Sequence, residues 1–196
     1  MPLRDPSRWV GRAGSVGGMV RPLGLPFDPI ERAGEHWEQR FGPASAMRAA
    51  TSVFRVQQIL LARFDEALRP YELTFARYEV LVLLTFSRSG ELPLKVIGSR
   101  LMVHPTSVTN AIARLAAAGY VLRRPNPADG RGVLARITES GSGVVEKATA
   151  DLTGMGFGLG DVPPEELGTL FDLLRRVRLG AGDVGGNGNR PDVDEG

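Results

Sequence analysis

Pro105-Thr106-Ser107-Val108-Thr109-Asn110, followed by Arg114, sets three hydroxyls, a carboxamide and a guanidinium along one short stretch. Short polar side chains near the start of a helix suit close approach to base edges, and a longer basic residue further along suits the same groove or its phosphates. Asn110 carries the donor and acceptor that meet adenine bidentately, while Thr106, Ser107 and Thr109 could touch base edges or phosphates; the helix N-terminus itself favours phosphate. A solvated polar face on a surface helix would carry the same residues, so this stretch alone decides nothing. The next segment of the chain breaks the tie. Arg123-Arg124 leads into Pro125-Asn126-Pro127-Ala128-Asp129-Gly130-Arg131-Gly132, a turn-rich tip on which Arg131 has the reach to enter a narrow minor groove, where negative potential concentrates. Asp129 is anionic and suits another task, capping loop amides or pairing with Arg131 or a neighbouring arginine.

The chain offers few parts for other chemistry. It has no cysteine and two histidines far apart in sequence, His36 and His104, so thiolate nucleophiles, disulfides and zinc fingers are excluded and a transition-metal site is not expected. No Gly-rich phosphate loop is present, and Ser99, Ser107 and Ser140 have no sequence hint of an adjacent base. Glu165-Glu166 reads as acidic charge at a helix start. An enzyme is therefore not expected, nor a cofactor. A module whose basic head contacts another protein remains the alternative to DNA binding, and salt dependence separates the two.

The elements that must position these residues emerge from period and punctuation. Asp28-Pro29 caps a helix through Ile30, Ala33, His36 or Trp37, and Phe41, stopped near Gly42-Pro43. From Ala44 to Arg69 neither Gly nor Pro intervenes, and Met47, Ala50, Phe54, Gln57, Leu61, Phe64 and Leu68 recur at helical spacing. So broad an apolar face predicts a partner subunit as a second surface. Thr74 is expected to cap a third helix with Tyr78, Leu81, Val82, Leu84 and Thr85 inward. An extended link at 91–93 leads to a short helix with Leu94, Ile97, Gly98 and Leu101 inside. After a turn, Pro105 opens the next helix, with Val108, Ile112 and Leu115 inward, Thr106, Ser107, Thr109, Asn110, Ala113 and Arg114 outward, and Gly119 as its stop. Residues 120–124 and 133–137 alternate as two strands of a hairpin. Thr138 opens a helix through Val144, Val145, Ala148 and Leu152, and a glycine-broken connection precedes a last helix over 163–179 with Leu167, Leu170, Phe171, Leu174 and Val177 as its stripe. The sum is a mainly α fold with a small β-hairpin wing: a winged helix-turn-helix with N- and C-terminal dimerisation helices.

Of 196 residues, 42% are hydrophobic, enough for a real core. The net charge of +2 is small but uneven: Glu91 to Ser140 holds seven basic residues against three acidic, while Gly180 to Gly196 holds one against four. Positive charge sits with the reading head. Residues 1–27 and 180–196 lack apolar period and are expected to be disordered tails. The division read from the pattern is an extra N-terminal helix at 28–42, dimerisation helices at 43–70 and 141–179, and a winged helix-turn-helix at 71–140. No run approaches the roughly 18 apolar residues of a membrane helix, and the N-terminus lacks a secretory apolar core, so a cytoplasmic protein is the default expectation.

At these residues the chain resembles the MarR family of bacterial transcription regulators. The resemblance is carried by the segment from Leu94 to Leu101, by Pro105 to Asn110 with Leu115 and Gly119-Tyr120-Val121, by Asn126 to Arg131, and by Ile137-Thr138-Glu139-Ser140-Gly141. It covers residues 51–179. It implies a homodimer whose two winged heads read a pseudo-palindromic operator in double-stranded DNA, usually as a repressor, with a small and often aromatic or anionic effector altering affinity. On that reading Pro105, Thr106, Ser107, Thr109, Asn110, Arg114, Arg124, Asp129 and Arg131 form the DNA-binding set. Gly130 stands where an arginine is common, which removes one charge from the wing. The helix carrying Trp37 resembles the N-terminal addition of the urate-responsive subgroup, and Trp37, Glu79 and Arg123 correspond to its ligand residues. Ala111 replaces the subgroup's recognition-helix arginine, so the resemblance implies a different ligand or none as readily as urate, and plain packing of Trp37 is the competing reading.

Overall fold

The computed structural model describes residues 24–183 apart from Ala128, with the backbone but not the side chains of Gly130 and Arg131. Most of both expected tails thus lies outside the described residues. Contacts divide the chain into two units that meet inside the second helix, one ending at Ala62 and one beginning at Arg63.

The first unit holds helix α1, Pro29–Phe41, and most of α2, Ser45–Leu68. Asp28 caps α1: its Oδ1 accepts the Ile30 and Glu31 amides at 2.8 and 3.3 Å, ahead of a proline that has no amide to satisfy. Gly34, in the middle of α1, is buried because the Arg48 guanidinium of α2 occupies the space a Cβ there would need. That guanidinium pairs with Glu31 at 3.1 Å and Glu38 at 2.5 Å, one on either side of Gly34. Trp37 and Phe41 pack against each other with their rings tilted by 55°, 5.0 Å between centroids, and both are exposed.

The Arg48 hydrogen bond holds the Glu38 carboxyl below its ordinary pKa. A depressed carboxylate stabilises above the ordinary glutamate value, and that contribution is lost as pH falls through the lowered one. The clasp should therefore loosen in acid. Trp37 emission in a Trp9→Phe background should shift as pH falls through that range, and Arg48→Met should show the acid spectrum already at neutral pH; an Arg48→Met spectrum like that of the parent would contradict the clasp.

Along α2 only Phe64 and Leu68 are buried; Val53, Phe54 and Val56 are exposed, Phe54 at 67%. The long apolar stripe is therefore mostly uncovered within one chain.

The second unit contains α3 (Phe75–Phe86), β1 (Glu91–Pro93), α4 (Leu94–Leu101), α5 (Pro105–Ala117), β2 (Val121–Asn126), β3 (Asp129–Ile137), α6 (Glu139–Gly154) and α7 (Pro164–Gly180). α3 is central, packing on α4, α5, α6 and β3. Its Tyr78, Val80, Leu81 and Leu84 are buried, as are Ile97, Val108, Ile112, Leu115, Leu92, Val121, Ala135, Val145, Ala148 and Leu152 of the same unit. Each large apolar side chain there contributes about 1.5–3 kcal/mol. Val80 lies inside against expectation, whereas Val82 is only partly buried and Thr85 is exposed. Thr74 stands at the cap position of α3 without accepting a hydrogen bond; Asp65 takes the Phe75 amide instead, at 3.0 Å.

The sheet is antiparallel with order β1-β3-β2. Residues 91–93, expected as a link, are a strand: Glu91, Leu92 and Pro93 stand opposite Arg136, Ala135 and Leu134. The hairpin is also longer than alternation suggests, running to an Asn126–Asp129 pair with a register shift at Pro125. Proline is tolerated there because β2 is an edge strand. One sheet face carries Leu92, Val121 and Ala135 into the core; the other carries Glu91, Pro93, Leu122, Arg124, Leu134 and Arg136.

Candidate nucleic-acid interface

The start of α5 is set by a tight turn. Met102 ends α4 with φ +55, and the Val103 amide returns to the Gly98 carbonyl at 3.1 Å. A Cβ on Gly98 would meet the Val103 carbonyl and the Val108 side chain at 3.4 Å each, so glycine lets the two helices approach closely. His104 is the N-cap, its Nδ1 accepting the Thr106 amide at 3.3 Å, and Pro105 is the first helical residue. Sequence pattern places His104 only in a turn and misses this role, because histidine is not a favoured cap. At the other end Gly119, with φ +77, donates to Ala116 at 3.0 Å and Tyr120 donates to Leu115 at 2.9 Å, the reciprocal pair that closes a helix on a left-handed glycine.

Between these stops the faces separate as the spacing predicts. Val108, Ile112 and Leu115 are buried, and Pro105, Thr106, Ser107, Thr109, Asn110, Ala113 and Arg114 are exposed. The Thr109 hydroxyl donates to the Pro105 carbonyl at 3.0 Å, which leaves its lone pairs for an incoming donor. Beside this face runs an apolar groove of about 650 Å³, lined by Leu94, Lys95, Gly98, Ser99, Met102, Val103, Pro105 and Thr109.

β2 and β3 form the wing. Arg123 lies opposite Ala135 on the core side of the sheet yet is itself exposed, and Arg124 lies on the outer side. Arg124 pairs with Glu91 of β1 at 3.9 Å, a partner no local pattern reveals. At the tip, a Cβ built on Gly132 would come 3.0 Å from Asp129 Oδ2 and 3.2 Å from Asn126 Nδ2. Both polar side chains thus lie over the hairpin's own end, which suits Asp129 to shaping the loop. Arg131 has its backbone in β3; its side chain lies outside the described residues.

The base of the wing is tied to α6. Thr138 caps α6 by accepting the Gly141 amide at 3.0 Å, its hydroxyl donates to the Gly119 carbonyl at 2.8 Å, and its amide donates to the Tyr120 carbonyl at 3.0 Å. Thr138 thus ties the α5–β2 turn and the end of the wing to the start of α6.

Of the three ligand candidates, Trp37 is an exposed residue of the first unit, Glu79 lies partly buried on α3 and Arg123 is exposed on β2. Burial pushes the Glu79 carboxyl above its ordinary pKa. None of the three lines the groove beside α5. Among the described residues no three His, Asp or Glu side chains are grouped to hold a metal, and no helix is long and apolar enough to cross a membrane.

Comparison with known proteins agrees with this geometry. The MarR family model matches residues 75–133, from α3 into the wing. The crystal structure of Sco5413, a MarR family transcriptional regulator from Streptomyces coelicolor, is 59% identical with a TM-score of 0.66, covering 70% of this chain and 96% of that one. A mutant MarR from E. coli, complexed with operator DNA, is 26% identical with a TM-score of 0.61, over 68% of this chain and 96% of that one. An uncharacterized HTH-type transcriptional regulator of Mycobacterium bovis, Mb0904, is 41% identical over 66 residues, 34% of this chain and 46% of its own length. The chain thus spans less than half of that curated relative. With the winged helix-turn-helix present element by element and a close structural relative matched over nearly its whole length, the chain belongs to the MarR family.

Proposed function

We propose that this protein is a dimeric, sequence-specific DNA-binding transcriptional regulator, a repressor whose hold on DNA is modulated by a small anionic or aromatic ligand. The observation that carries the reading is the α5 surface: exposed Thr106, Ser107, Thr109, Asn110 and Arg114 on a helix whose opposite face is locked in the core. Such a helix can enter a major groove while Arg131 reaches the neighbouring minor groove and Arg124 lies near the backbone. E. coli MarR, similar to this chain, has been seen on operator DNA.

Dimerisation is supported by apolar surface that one chain leaves open: Val53 and Phe54 on α2, and Phe171, Leu173 and Val177 on α7, all more than half exposed. The effector is supported by Glu79, whose carboxyl is partly buried, and by the exposed Trp37 ring. A relative, BpsR of Bordetella bronchiseptica, has its DNA binding regulated by 6-hydroxynicotinic acid.

The test is a salt titration of duplex binding. The wild type should lose affinity with a log–log slope near −0.9 per phosphate neutralised, and Arg131→Ala should bind more weakly with a slope smaller by about 0.9 while melting as the wild type does. A salt-independent interaction would point to a protein partner, and an unchanged affinity in Arg131→Ala would overturn the wing assignment.

A further inference from the structure

The outer face of the sheet holds a carboxylate among arginines. Glu91 stands directly opposite Arg136 in register, yet its ion pair is with Arg124, two strands away and two register positions nearer the tip. To reach it, Arg124 must fold back across β3 toward the β1 edge and the base of the wing. The Glu91 side chain is 26% exposed and Arg124 55%. Glu91 Oε2 is buried and accepts no hydrogen bond from the described residues, so the carboxylate depends on nearby charge for its stabilisation. Its backbone is anchored, the carbonyl accepting the Ser87 and Ser89 hydroxyls at 3.0 and 3.2 Å.

Resting on the DNA-binding reading, we propose that Glu91 is a positioning residue: its carboxylate competes with backbone phosphate for the Arg124 guanidinium and so limits how strongly the head grips DNA of any sequence. A guanidinium paired with a carboxylate is already partly neutralised, and phosphate must displace that partner before counterion release counts in full. Because Arg124 is half exposed and the contact is longer than a hydrogen bond, exchange is easy. Phosphate contacts carry no sequence information, so a restraint on one of them lowers background binding without touching the base-reading face of α5.

The experiment measures binding to a short random-sequence duplex across a salt series for the wild type, Glu91→Gln, Glu91→Asp, Arg124→Gln and the Glu91→Gln/Arg124→Gln double variant. Glu91→Gln should tighten binding about two- to fivefold at low salt, the size expected of an ion pair with one partner at the surface, and steepen the slope by up to about 0.9. Glu91→Asp keeps the charge but is too short to span β3, and should behave like Glu91→Gln. The gain should vanish in the double variant. An unchanged or weaker Glu91→Gln complex overturns the proposal, as does a gain that survives loss of Arg124 or an aspartate variant identical to wild type, since either would mean bulk charge. These failures leave a steep wild-type salt dependence intact; a wild type without one would instead sink the DNA-binding reading and this proposal with it.

Discussion

Gly141→Ala is expected to destabilise the protein by about 1–3 kcal/mol, the range for forcing an extra carbon into a packed site, and to lower the melting temperature by roughly 2–4 °C per kcal/mol for a chain of this size. The cause is local and specific. A Cβ at Gly141 would run into the Tyr120 backbone carbonyl, with the Ile137 side chain next at 2.9 Å. Neither neighbour is the loose end of a flexible chain. That carbonyl accepts the Thr138 amide, and Thr138 caps α6 through Gly141 itself, so the added carbon pushes apart the joint between wing and helix. Gly143, two residues on in the same helix, has nothing within 4 Å of its Cβ position. Gly143→Ala should therefore stabilise, by about 0.5–1 kcal/mol from helix propensity. Opposite signs at two glycines so close together make a sharp comparison. Equal effects in thermal melts would show that the α6–wing joint is looser than these contacts imply.

α5 is legible from its residues because its order is local. Proline and glycine mark its ends, and a 3.6-residue period sorts Val108, Ile112 and Leu115 from Thr106, Thr109, Asn110 and Arg114. α1 is legible for the same reason, with Asp28, Pro29 and Gly42 as punctuation. The features that escape are set by residues distant in sequence. Three residues, Glu91-Leu92-Pro93, become a strand only because β3 offers its edge more than forty positions later. Pro125 reads as the end of a strand until β2 is known to be an edge. Val80 faces outward on a one-stripe helix, but α3 has neighbours on several sides and buries more than one stripe. Asp65 replaces Thr74 as the cap of α3 from the end of another helix. The Arg124–Glu91 pair crosses an intervening strand and has no local signature.

The central claim is that the exposed face of α5 reads bases, and Asn110→Ala tests it most directly. Asn110 is exposed midway along that face and shares no side-chain hydrogen bond with another described residue, so its removal should leave stability unchanged within about 0.5 kcal/mol. A lost bidentate contact to adenine should cost about 1–3 kcal/mol on the specific site, tenfold or more, and almost nothing on random sequence. The specific site is found by footprinting the purified protein on the DNA flanking its own coding sequence; a dimer of such heads should protect two half-sites about one helical turn apart. Affinities of wild type and Asn110→Ala are then measured on that duplex and on a scrambled one at the same salt. A loss confined to the footprinted duplex is the predicted result. Equal losses on both duplexes, or none on either, would contradict the assignment of α5 as the base-reading element.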